Sequence, residues 1–135
     1  MGDNIERICV TDGNHIHIYP TVLFDIEGQE DERNSNVINY IFDKIDDVLL
    51  IESSINFHVH TDNMKISQTS KYKKIVSLFI QIVTVKYSTT MLDKCYLYDV
   101  NRAMKIILDI IKPALPPVVK SKMIIVKEVA DEHED

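Results

Sequence analysis

Apolar and polar positions change period repeatedly between Ile55 and Val129. The run INFHVH at 55–60 reads as a strand, and Asp62-Asn63 marks its exit because Asn tolerates a left-handed backbone. From about Ser67 the period becomes helical. Tyr72, Ile75, Val76, Phe79, Ile82 and Val83 form one stripe, with Lys71, Lys73, Lys74 and Lys86 pointing outward. CYLYDV at 95–100 is the next strand. Ala103, Met104, Ile107, Leu108 and Ile111 then start a second helical stripe, widened by Ile106 and Ile110 and ended by Pro113. A helix this apolar around its circumference is expected to be fully buried or to cover something apolar. Pro116-Pro117 restart a short helix through about Lys122, and MIIVKEV at 123–129 closes as a strand. Strands alternating with helices in this order predict a parallel sheet covered by helices.

The first part of the chain reads differently. IERICVT at 5–11 and HIHIYPTV at 15–22 are β-rich runs around Asp12-Gly13-Asn14, a hairpin turn signal. EGQEDERNSN at 27–36 has no apolar residue and is expected to be an exposed loop that supplies Asn34, Ser35 or Asn36 as a helix cap. Val37, Ile38, Ile41, Phe42, Ile45, Val48 and Leu49 then define an amphipathic helix whose outer face carries Asp43, Asp46 and Asp47. The fold class is therefore α/β. A single domain over 1–127, a mixed, mainly parallel sheet flanked by helices and preceded by a β-hairpin, is followed by an acidic C-terminal tail at 128–135.

Length agrees with one domain, since 135 residues bury roughly two-thirds of the surface of the unfolded chain. With 45% hydrophobic and 27% charged residues, the composition is that of a globular chain. The N-terminus lacks a basic region followed by an apolar run and a cleavage site, and the most apolar segment, 75–85, is about half the ~20 residues needed to span a bilayer. A cytoplasmic protein with at most peripheral membrane contact is expected. Cys9 and Cys95 lack metal-ligand spacing and read as reduced thiols.

Charge is divided along the chain. Residues 1–62 carry 13 acids and 3 bases, residues 63–127 carry 3 acids and 12 bases, and the last eight residues add five acids. Lys65, Lys71, Lys73 and Lys74 form a basic patch that could meet headgroups, nucleic acid or an acidic partner, unless the oppositely charged halves face each other. Nucleic acid is the weaker reading, because the chain is acidic overall, has three arginines and lacks a stacking platform.

Three segments, FHVHTDN at 57–63, DKCYLYDVNRAMKIILDIIKPAL at 93–115 and VKSKMIIV at 119–126, resemble the CRAL-TRIO lipid-binding family. Lys112-Pro113-Ala114-Leu115 and Lys122-Met123-Ile124 match its signatures. His60 and Asn63 stand in place of its strand-exit acid and glycine, and Asp99-Val100-Asn101 in place of Asn-Ala-Pro. The resemblance implies a lipid or other hydrophobic small molecule as ligand, and a movable gate over 101–122. The ligand-facing residues it implies are Met104, Ile107, Leu108 and Ile111, opposite Phe57, Val59 and Phe79.

Candidate chemistry is sparse. His15/His17 and His58/His60 are paired at strand spacing, so each pair turns two imidazoles to one side, and neighbouring strands could bring all four together. No cysteine or carboxylate stands at ligand spacing beside them, and no metal or other cofactor is expected. There is no nucleophile elbow, and glycines at 2, 13 and 28 cannot form a phosphate-binding loop, so no enzymatic activity is expected. The alternative function is a structural or adaptor subunit with protein partners in a large assembly. The richness in Ile, Lys, Asn and Asp suits an AT-rich genome, which makes a virion component the alternative location. A regulatory module of the STAS type, with a phosphorylatable Ser67 or Ser70, ranks last.

Overall fold

Gly13, at φ 61°, turns the chain between β1 (Cys9–Asp12) and β2 (His15–Ile18), which pair antiparallel with Asp12 opposite His15. A two-residue hairpin loop needs that positive φ, and glycine supplies it without a steric cost. The computed structural model describes residues 4–130. Both strands are shorter than their β-rich sequence suggests. Residues Ile5–Arg7 form a 3-10 turn, and Pro20, which has no N–H to give a ladder, opens another through Asp25.

Three parallel strands follow, β3 (Ile55–His60), β4 (Leu92–Tyr98) and β5 (Met123–Ile125), and the sheet order is β1-β2-β3-β4-β5. The connections are made by α1 (Glu30–Leu49), α2 (Thr69–Lys86) and α3 (Arg102–Ile111), with α4 (Pro117–Lys120) leading into β5. Because every step moves to the next strand in the same direction, right-handed crossovers place all three long helices on one face of the sheet. That face presents Ile16, Phe57, Cys95 and Met123 at one register level.

Helix α1 begins at Glu30, four to six residues before the expected caps, so Asn34, Ser35 and Asn36 lie within it. Glu30, Asp31 and Glu32 occupy its first turn, where acidic side chains complement the positive end of the helix dipole. A first turn that meets its neighbour through ion pairs to Lys74 needs no apolar residue, and it reads as loop for that reason. Helix α2 starts two residues later than expected, after a 3-10 turn at Ile66–Gln68. Asn63 exits β3 at φ 66°. Asp99, at φ 56°, ends β4 before Val100.

The C-terminal boundary also moves. Val100 N–H donates to Lys127 O at 2.8 Å, Val129 N–H donates to Val100 O at 2.9 Å, and Glu128 pairs with Lys105 at 2.6 Å. Residues 128 and 129 are therefore tied to the fold, Ala130 is exposed, and 131–135 of the expected tail lie outside the described residues.

Candidate ligand cavity

Helix α2 has 18 residues but only two buried ones, Tyr72 and Ile75. Val85 and Ile82 are exposed to solvent, but most of its other apolar residues are not. Val76, Phe79, Ile80 and Val83 keep part of their surface because they border a cavity of about 260 Å³ between the helices and the sheet. Phe57, Val59, Cys95 and Leu97 form part of its floor, and Ile38 and Ile41 of α1 close one side. Met104, Leu108 and Ile111 of α3 face it from the opposite side, with Leu115, Pro116 and Val119 continuing that wall. The walls come from both long crossovers and from the segment 101–122.

The expected ligand-facing residues divide unevenly. Phe57, Val59, Phe79, Met104, Leu108 and Ile111 all line the cavity, whereas Ile107 is fully buried and does not. Ile107 sits three residues from Met104, so helical spacing assigns it to the apolar stripe without saying which neighbour it packs against. Nor is α3 apolar because it is enclosed all round, since Ile110 is 43% exposed. The helix is held at its start by Asn101, whose Oδ1 accepts from Met104 N–H at 3.1 Å. Its Nδ2 donates to Met64 O at 2.9 Å, tying the helix to the segment after β3.

Polar atoms at the cavity wall are few and hold their protons. Burial pushes the Cys95 thiol up to about 12 and the Tyr72 phenol to about 12. The Tyr87 phenol is raised by burial and by its hydrogen bond to Asp46. The Tyr72 hydroxyl is buried without a partner. The sequence reads Cys95 as a reduced thiol but does not place it at the cavity, because a cysteine in a strand reads as core. Cys9 is also free, and burial raises its thiol to about 11.

The charge division resolves into facing helices. Lys74 reaches Glu30 at 2.8 Å and Asp31 at 3.5 Å, and Lys86 reaches Asp46 at 3.4 Å, so lysines of α2 meet acids of α1. Lys71 lies 6.0 Å from the centre of the Phe24 ring. Lys65 and Lys73 are exposed, and the contacts of Lys71 and Lys74 engage part of the basic patch within the fold.

The four histidines do come together, on the sheet face away from the cavity. His15 Nδ1 lies 2.8 Å from His58 Nε2, and His17 Nδ1 lies 3.0 Å from His60 Nε2. Burial, then neighbouring His17, His15 and His60, push His58 down to about 4. Burial and His17 also lower His60, against the opposing pull of Asp62 and Asp99.

A one-sided sheet whose crossover helices enclose an apolar cavity has the form of a binding domain for a hydrophobic molecule. The family described as CRAL/TRIO domain matches residues 11–134, and the chain belongs to it. The match extends the resemblance at 57–126 to the hairpin and nearly to the C-terminus. At the level of the family, these domains bind lipophilic small molecules. Neither a curated protein nor a solved structure matches the chain. Among the described residues, no helix is long and apolar enough to cross a membrane.

Proposed function

We propose that this domain holds a lipid or other hydrophobic small molecule in the cavity bounded by α1, α2, α3 and the sheet, and does no chemistry on it. The observation that carries this is the composition of the cavity wall. Among the described residues its ionisable groups are two phenols and a thiol, and no carboxylate, imidazole, lysine or arginine lines it. A general acid or base working near neutral pH needs a group that titrates there, and these do not. A cavity of about 260 Å³ exceeds the roughly 150 Å³ of an engineered void that takes up benzene.

Native mass spectrometry of tag-free protein from a eukaryotic host tests this. A stoichiometric adduct that is lost on denaturation, and that is absent from a variant whose cavity is filled by Val59→Phe, is the expected result. A clean apo mass with a retained protein partner or a defined oligomer would overturn it and favour a subunit of a larger assembly.

A further inference from the structure

The helix-free face of the sheet carries both His-x-His pairs, and the cavity uses neither. Two ladders of stacked rings cross β2, β3 and β4 there. Tyr19, His60 and Tyr98 stack at 4.6 and 4.8 Å, and His17, His58 and Tyr96 stack at 4.6 and 5.0 Å. Rings stacked along the sheet turn their edges, not their faces, away from it. The imidazole nitrogens therefore meet edge to edge, and His58 Nδ1 is 2.8 Å from the Tyr98 hydroxyl.

We propose that His15 and His58 form a chelating site for a divalent transition-metal ion of the tetragonal, imidazole-preferring kind, Cu2+ foremost and Ni2+ after it. The spacing is compatible with a tetragonal edge, and the ion would replace the N–H···N hydrogen bond that sets it. Two metal–nitrogen bonds of about 2.0 Å at a right angle separate the nitrogens by about 2.8 Å, whereas a tetrahedral ion needs about 3.3 Å. The observed separation is 2.8 Å. A swing of the exposed His15 ring about its Cβ–Cγ bond opens room for an ion between its Nδ1 and the fixed His58 Nε2.

The second shell is in place. A metal-bound His58 Nε2 requires the proton on Nδ1, and from there Nδ1–H donates to Tyr98 Oη, which fixes both tautomer and ring plane. His15, bound through Nδ1, carries its proton on Nε2. In the metal-free pair with the same His58 tautomer, His15 Nδ1–H donates to His58 Nε2. Binding then moves one proton from Nδ1 to Nε2 of His15 through solvent and releases none. His15 is exposed and gives the ion access, while His58 is 8% exposed and gives it a fixed anchor. Asp12 is the cross-strand partner of His15 and lies on the same face, where its carboxylate is the nearest candidate third ligand by register. No three ligands are preassembled among the described residues, so water completes the sphere. The His17–His60 pair lies too close for a second dication, which sets the stoichiometry at one.

Calorimetric titration of the tag-free full chain with CuCl2, NiCl2 and ZnCl2 at pH 7.4, in a non-coordinating buffer, tests the site. One Cu2+ per chain is expected, bound more tightly than Ni2+ and Zn2+. His15→Gln and His58→Gln should each weaken Cu2+ at least tenfold. Tyr98→Phe should weaken it about tenfold with the stoichiometry kept, the scale expected of an outer-shell partner. Circular dichroism of each metal-free variant checks folding, and should His58→Gln unfold, the exposed His15→Gln decides alone. Absence of saturable Cu2+ binding would overturn the proposal. So would binding that survives His15→Gln but is lost in His133→Gln, which lies in the acidic C-terminal sequence.

Discussion

The ring of Phe79 on α2 stacks on Phe42 of α1, with centroids 5.2 Å apart and planes 8° from parallel. It also stands edge-on to Phe57 of β3 at 6.5 Å and 81°. One side chain thus joins two helices to the sheet while its remaining surface borders the cavity. That double contact explains how α2 stays seated with only two buried residues.

Phe79→Ala should therefore cost about 2–3 kcal/mol, below the 3–5 typical of a fully buried phenylalanine because part of the ring borders the cavity and not packed neighbours. Phe79→Leu, which keeps aliphatic contact but loses the stacking, should cost roughly half as much. Urea midpoints at constant m-value measure both. A loss below about 0.5 kcal/mol for the alanine variant would mean that α2 is held by something other than this ring.

Asn101 anchors the start of α3 with both ends of its amide. Asn101→Ala removes an N-cap and leaves Met64 O without its buried donor, a combined cost of about 2–3 kcal/mol. Asn101→Ser keeps a capping oxygen and should recover about half of that. If the two variants are equally unstable, the bond to Met64 carries the effect and the cap contributes little.

The alternation from Ile55 to Val129 was legible because strand and helix periods differ and each element there buries one side. The register of the histidines was legible for a similar reason, since alternate strand residues share a face whatever lies beneath. The start of α1 was not, because a solvated first turn carries no apolar signal. Ile107 lies buried outside the cavity lining, a placement that periodicity does not give, because it reports that a residue is buried but not what it touches. The cavity itself could not be read from the sequence. The apolar stripe of α2 looks the same whether it packs on a neighbour or borders a void.

Acid should destabilise the domain earlier than its carboxylates alone would require. His58 falls from its ordinary 6.5 to about 4 in the fold. At pH 7 it is neutral whether folded or unfolded. Below about 6.5 the unfolded chain takes up a proton that the folded ring refuses, so stability drops as the pH falls toward 4 and levels off beneath it. His60, lowered for similar reasons, adds in the same direction. Urea midpoints at pH 7, 6 and 5 should decline steadily, and His58→Gln should flatten that decline. A midpoint independent of pH over this range would mean that the imidazoles are solvated and titrate normally.

Cys95 offers a reading of the cavity that needs no knowledge of its ligand. The thiol faces the cavity from the middle of the sheet, and burial holds it near 12, so at pH 8 roughly one molecule in ten thousand carries the thiolate. In a Cys9→Ser background, alkylation by a small maleimide should run at least a thousandfold slower than on an unfolded peptide. Over pH 8 to 10 it should accelerate about tenfold per unit. Any hydrophobic molecule that occupies the cavity must cover this sulfur or stiffen the helices above it, and should slow the reaction further. Fast alkylation at pH 8 would mean that α2 and α3 part readily enough to wet the cavity, and occupancy would then have to close the domain as well as fill it.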